Sequence, residues 1–131
     1  MNNWNRANLL VLLFILLLSF SSKGISTTDS LITFINKSPN DTNKVNALNQ
    51  LAQVLMHEDY KLSFSHAFKA LNLSKELSFD KGMGNSYHIL GNLYDFNDAD
   101  SSLYYLNKAK AIKQKLKDYK GLASTYIGIG T

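Results

Sequence analysis

Cysteine is absent from this 131-residue chain, which excludes disulfides, thiolate metal sites and a lipid anchor attached through a cysteine. Proline occurs once, at Pro39, so no later proline interrupts a helix. The charge excess is also small, because the net charge of +4 falls to +2 if Arg6 and Lys23 are removed with the N-terminal segment. An excess of this size gives no indication of nucleic-acid binding.

The longest apolar run is short and lies near the N-terminus. Residues 1–24 begin with a polar stretch containing Arg6, continue with ten unbroken apolar residues from Leu9 to Leu18, and end in small residues. This layout predicts a signal peptide at 1–24 and therefore export. Ten helical residues span about 15 Å, roughly half of a bilayer core, so a permanent membrane anchor is the weaker interpretation.

The rest of the chain repeats with a period of 39 residues. Lys81-Gly82 aligns with Lys120-Gly121, and "YHILG" at 87–91 aligns with "YIGIG" at 126–130. Each unit contains two amphipathic runs with apolar residues at helical spacing, separated by "HEDYK" or "DFNDAD". We predict an all-α array with units at 43–80, 81–119 and 120–131, preceded by a short helix and linker at 25–42.

Short acidic and hydroxyl side chains mark the predicted helix starts. Asp59 and Asp98 occupy equivalent turn positions, where a carboxylate can accept from the exposed amides of the following helix. Asp29 or Ser30 is expected to cap the short helix before the array. The third unit stops inside its first helix, and we expect the chain to be part of a longer protein, because a helical array needs a polar capping element.

A small residue recurs in the middle of the first helix of each unit, at Ala52, Gly91 and Gly130. Glycine there costs roughly 1 kcal/mol of helix propensity relative to alanine, so close packing of a neighbouring helix must offset the loss. The alternative, a phosphate-binding loop in "TYIGIGT" at 125–131, requires a preceding strand, and no β-branched or alternating run precedes it.

The first helix of each unit, helix A, has a glycine or alanine in its middle with aromatic residues beside it, and the second, helix B, has a small residue and an alanine. In these features the array resembles the tetratricopeptide repeat. The fragments that carry this resemblance are "YHILGNLY" and "SLYYLNKA". It covers about two and a half units from 43 to 131 and implies a helix-turn-helix solenoid. The residues with an implied packing role are Ala52, Ala70, Tyr87, Gly91, Tyr94, Ala109, Tyr126 and Gly130.

The segment before the array, "TDSLITFINKSPNDTNKVNALNQLAQVL", resembles the lead-in of exported tetratricopeptide regions in Gram-negative sensor histidine kinases. The resemblance implies a protein- or peptide-binding input region on the periplasmic side of the inner membrane, tethered through a C-terminal region beyond residue 131. Two alternatives stay open. The chain is a free-standing periplasmic adaptor, or it is the regulatory arm of another signalling enzyme or of a transcription activator.

The face of helix A opposite the packing face carries polar residues at spacings of three and four. In tetratricopeptide arrays this face lines the concave groove, so the resemblance implies a partner-binding role, although a merely solvated helix face would show the same pattern. Six lysines between 108 and 120 are interpreted as the solvated outer face of helix B. The implied partner-binding residues are Asn46, Asn49, Gln53, Asn85, His88 and Asn92.

Catalytic and metal-binding patterns are missing from the sequence. His57, His66 and His88 form no pair at helical ligand spacing, and "DFNDADSS" lacks the central Gly and the closing Glu of a calcium loop. No nucleophile elbow or paired constellation is present. We therefore expect a binding module rather than an enzyme, with no cofactor, no metal and no catalytic residue.

Overall fold

The computed structural model describes residues 26–95 and 97–130, and these fold into six α-helices joined by short turns. The fold is all-α, as predicted, whereas the predicted signal peptide at 1–24 lies outside the described residues. Over the two described ranges, no helix is both long and apolar enough to cross a membrane. The helices are α1 (Thr27–Lys37), α2 (Thr42–Leu55), α3 (Tyr60–Glu76), α4 (Asp80–Tyr94), α5 (Ala99–Lys115) and α6 (Tyr119–Gly130).

Side-chain caps define the starts of several helices. The carboxylate of Asp59 accepts from the Leu62 amide at 3.0 Å, and that of Asp98 accepts from the Ser101 amide at 3.1 Å, which confirms both predicted caps. The prediction for α1 is wrong, because the Ser26 hydroxyl caps this helix by accepting from the Asp29 amide. Asp29 instead lies in the first turn, where its negative charge interacts favourably with the positive end of the helix dipole.

α3 and α5 end in the same backbone motif. Ser78 and Lys117 adopt left-handed conformations, with φ values of 52° and 55°, and they lie one 39-residue period apart. The amides that follow them, of Phe79 and Asp118, turn back to the carbonyls of Ser74 and Lys113. These bonds satisfy carbonyls left free at the helix end, so the chain reverses without a glycine.

The helices are arranged in two layers. Each helix packs against the next one along the chain, and α2 also packs against α4, as α4 does against α6. One layer is therefore formed by α2, α4 and α6, while α3 and α5 cover its other side. The buried core lies between the layers, with Leu51, Leu90, Leu93 and Leu106 almost completely enclosed.

The small residues predicted to permit close packing do so at Ala52 and Gly91. The Ser63 hydroxyl of α3 donates to the carbonyl of Ala52, which is fully buried, at 2.6 Å. A Cβ atom at Gly91 would lie 2.6 Å from Cγ of Leu106 and 3.2 Å from its backbone nitrogen. No side chain fits there, so the backbones of α4 and α5 are in near contact.

The other predicted packing residues differ in their surroundings. The two helix-B alanines, Ala70 and Ala109, are fully buried. Tyr87 and Tyr94 both stack on Tyr105 of α5, with ring centroids 6.1 and 5.3 Å apart. These stacked rings join α4 to α5 and stabilise the contact between the two helices.

Tyr126 and Gly130 of α6 do not have the predicted packing role in the structure. A Cβ atom at Gly130 would meet no other atom within 4 Å, and Tyr126 is 47% exposed. The Tyr126 ring instead lies 5.1 Å from the Lys110 ammonium. The reason is that no helix among the described residues packs over this part of α6. Gly128 and Gly130 are nevertheless helical, as predicted, rather than part of a loop.

We predict that Gly91→Ala destabilises the protein by about 1–3 kcal/mol, because the added methyl overlaps Leu106 and outweighs the gain in helix propensity. The matched control is Gly130→Ala, where the methyl meets open space. It is expected to leave the free energy of unfolding unchanged or to raise it slightly. Urea denaturation of both variants measures the difference, and equal effects of the two changes would contradict the close-approach argument.

Candidate functional site

One cavity collects most of the polar residues that the sequence singled out. It has a volume of about 360 Å³ and lies on the face formed by α2, α4 and α6, with one contribution from α5. Five of the six predicted partner-binding residues line it, and Asn92 instead lies against His88, with its amide nitrogen 3.2 Å from Nε2. The lining residues are Asn46, Asn49, Gln50, Gln53, Asn85, His88, Ile89, Lys113 and Ser124.

Asn49 is part of the framework of this cavity rather than a free groove residue. It is only 6% exposed, and its amide nitrogen donates to the Gly82 carbonyl at 3.3 Å. Its amide oxygen lies 2.9 Å from the Ser86 hydroxyl, which also lies 3.0 Å from the Gly82 carbonyl. Because a buried amide without partners is unfavourable, these bonds fix α2 against the first two turns of α4.

The same arrangement recurs one period later with different residues. His88 occupies the position equivalent to Asn49 in the 39-residue repeat, and its Nδ1 lies 3.3 Å from the Thr125 hydroxyl. Thr125 in turn donates to the Gly121 carbonyl at 2.9 Å, as Ser86 can to Gly82. Since Thr125 uses its proton on Gly121, His88 donates from Nδ1 and accepts from Asn92 at Nε2. This assignment requires a neutral imidazole.

The surroundings of His88 favour that neutral form. Burial, and second the nearby positive charge of Lys113, lower the pKa of His88 to about 4. The side chain is therefore uncharged at neutral pH. In this state it can accept from Asn92 within α4 and donate to Thr125 of α6, so the hydrogen bond that joins the two helices is complete.

Lys113 corrects the prediction that the six lysines between 108 and 120 form a solvated face. Five of the six are at least partly exposed, but Lys113 is only 4% exposed and lines the cavity. Its ammonium donates to the Gly121 carbonyl at 3.3 Å. Burial lowers the pKa of Lys113, and the carboxylate of Asp118 acts in the opposite direction. Among the described residues, Lys113 is the only charged one that lines the cavity.

The Lys113 side chain passes beside two glycines. A Cβ atom at Gly121 of α6 would lie 3.1 Å from its Cδ, closer than ordinary van der Waals contact, whereas one at Gly84 of α4 would lie at an ordinary 3.7 Å from its Cγ. The apolar stem therefore passes between α4 and α6, and the ammonium reaches the polar side. The 39-residue alignment pairs Lys113 with Ser74, a small buried residue, and so gave no signal that a lysine would be enclosed here.

The described residues contain no group of three or more histidines and carboxylates close enough together to hold a metal ion. Comparison of the chain with models of protein families, with curated proteins and with solved structures gives no match. The resemblance to tetratricopeptide repeats therefore rests on the residue pattern and remains a prediction.

We predict that Asn49→Ala lowers the free energy of unfolding by about 1–3 kcal/mol, because it removes the buried hydrogen bonds that join α2 to the Gly82 carbonyl and the Ser86 hydroxyl of α4. The control is Asn46→Ala, which removes the same amide from the same helix and the same cavity but at an exposed position. We expect that variant to stay within about 0.5 kcal/mol of the unaltered protein. If chemical denaturation shows both variants unchanged, Asn49 does not join the helices.

We predict that His88 makes the protein less stable in mild acid. The unfolded chain binds this proton with the ordinary pKa of 6.5 and the folded chain with a pKa of about 4, so the unfolded state binds more protons between these values. The stabilisation is complete above about pH 6.5 and is lost as the pH falls towards 4, by up to about 3 kcal/mol.

The measurement compares His88→Gln with the unaltered protein in urea titrations between pH 7 and pH 4. The variant should lose less stability over this range. His66, whose pKa is also lowered by burial and by Lys69, is present in both proteins, so its contribution cancels. Identical pH dependence of the two proteins would show that His88 titrates normally in the folded state.

Proposed function

We propose that this chain is a peptide-binding helical-repeat module that holds an extended segment of a partner protein in the cavity on the α2–α4–α6 face. The observation that carries the proposal is the concentration of amide side chains from two successive repeat units around one cavity. Asn46, Gln53 and Asn85 are exposed or half-buried there, and none of these three side chains is engaged in a hydrogen bond within the described part of the chain.

Primary amides suit a peptide main chain because each can donate to a carbonyl and accept from an amide. The cavity volume lies at the small end of the range of ligand sites, which matches one or two residues of an extended chain rather than a folded surface. The framework bonds of Asn49 and His88 hold the helices in place without using the exposed amides. Binding therefore requires little rearrangement of the site.

The cellular setting that we propose is the extracytoplasmic input region of a membrane-bound sensor kinase. The support for it is the layout of residues 1–24 and the resemblance carried by residues 28–55. In this setting, ligand binding across α2, α4 and α6 favours one curvature of the helix stack over others, and that shift is transmitted along the array.

The test is a selection of random twelve-residue peptides on the full-length chain, followed by affinity measurements on the recovered peptides. A variant with Asn46→Ala and Asn85→Ala should bind them about tenfold more weakly, as expected for the loss of direct hydrogen bonds. The control combines Asn72→Ala with Asn107→Ala, two exposed asparagines of α3 and α5 that lie outside the cavity.

The control should bind with unchanged affinity. Recovery of no peptide above background would overturn the proposal. Peptides that bind both double variants equally well would show that the module binds through another surface.

A further inference from the structure

We propose that the ligand of this cavity carries a carboxylate, which pairs with the ammonium of Lys113. The inference rests on the proposed peptide-binding function and specifies the chemistry of its ligand. It stands on the placement of one buried lysine in a cavity that is otherwise neutral.

The Lys113 ammonium has less than its normal set of partners. An ammonium has three donors, and Lys113 makes one hydrogen bond within residues 26–95 and 97–130, to the Gly121 carbonyl. The single ion pair in those ranges joins Lys115 to Asp80, so no described carboxylate lies within 4.0 Å of the Lys113 nitrogen. A buried cation with so few partners is unfavourable unless another group compensates its charge.

The cavity provides no such compensation itself. Its other lining residues are amides, an uncharged histidine, a serine and an isoleucine, and none is acidic. Asp118, whose carboxylate acts on Lys113 electrostatically, does not line the cavity. An entering carboxylate therefore meets one positive charge and several neutral donors. Charge-assisted hydrogen bonds of this kind are roughly twice as strong as those between neutral groups.

The position of Lys113 also differs from that of the other lining residues. They belong to α2, α4 and α6 and include no lysine. Lys113 instead enters from α5, between Gly84 and Gly121, so the charge lies below the layer of amides. A ligand thus meets amides around it and the ammonium at the α5 side of the cavity.

The experiment uses the peptides recovered on the full-length chain and two variants with the same change of charge. Lys113→Met removes the ammonium but keeps an unbranched apolar stem, and Lys115→Met removes an exposed ammonium two residues further along the same helix. We expect the peptides to contain an acidic side chain or to use their C-terminal carboxylate. Lys113→Met should lower the affinity for these peptides about tenfold or more, and Lys115→Met should lower it by less than about twofold.

A second arm leaves the protein unaltered and replaces the carboxylates of each peptide by amides. These peptides should bind the unaltered chain about tenfold more weakly, and they should lose nothing further on Lys113→Met, because the pair is already broken. This arm decides the question even if Lys113→Met fails to fold. Thermal denaturation of Lys113→Met is expected to show unchanged or increased stability, whereas a mainly structural lysine would give a loss.

The outcomes separate the inference from the function on which it rests. Peptides that bind the cavity without acidic groups and are indifferent to Lys113→Met would overturn the carboxylate site and leave the peptide-binding function standing. If no peptide is recovered, the proposed function fails, and titration with succinate decides whether the carboxylate site remains. Shifts of the Lys113 side-chain NMR signals would support a small carboxylic acid as the ligand, and their absence would overturn the site.

Discussion

Three helices approach one another closely at Gly82, where the start of α4 meets α2 and α3 together. A Cβ atom there would lie 2.6 Å from the Ser74 hydroxyl and 2.7 Å from Cγ1 of Val45. With no side chain in the way, the Gly82 carbonyl comes within reach of the Asn49 amide. This contact sets the distance between α2 and α4, which both line the cavity, so the shape of the cavity depends on it.

The second junction, at Gly121, reaches a similar geometry by a different combination of side chains. Histidine and threonine replace asparagine and serine, and Lys113 replaces Ser74 beside the glycine. At each junction a side chain of one unit donates to a glycine carbonyl of the next, Asn49 to Gly82 and Lys113 to Gly121. The lysine at the position equivalent to Ser74 introduces a positive charge into the cavity. This one position of the repeat therefore affects both the packing of the helices and the chemistry of the site.

Periodicity made the helices and their order predictable, because amphipathic runs repeat every 39 residues. It also predicted the close packing at Gly91, where a side chain would overlap Leu106. It could not distinguish Asn46 from Asn49. Both residues lie on the same helix and carry the same amide, but only Asn49 meets Gly82 of the next unit. Nor could it identify Lys113 as buried, since its burial depends on Gly84 and Gly121 in two other helices. The repeat pattern describes the residues within one unit, so it does not predict which residues contact the next unit.

A buried hydrogen bond between successive units fixes the layer formed by α2, α4 and α6, and a double-mutant cycle on Asn49→Ala and Ser86→Ala tests this most directly. The two side chains lie 2.9 Å apart across the junction. The account predicts a coupling energy of about 1 kcal/mol in the free energy of unfolding, with the double variant less destabilised than the sum of the single ones. Effects that add to within about 0.3 kcal/mol would contradict it.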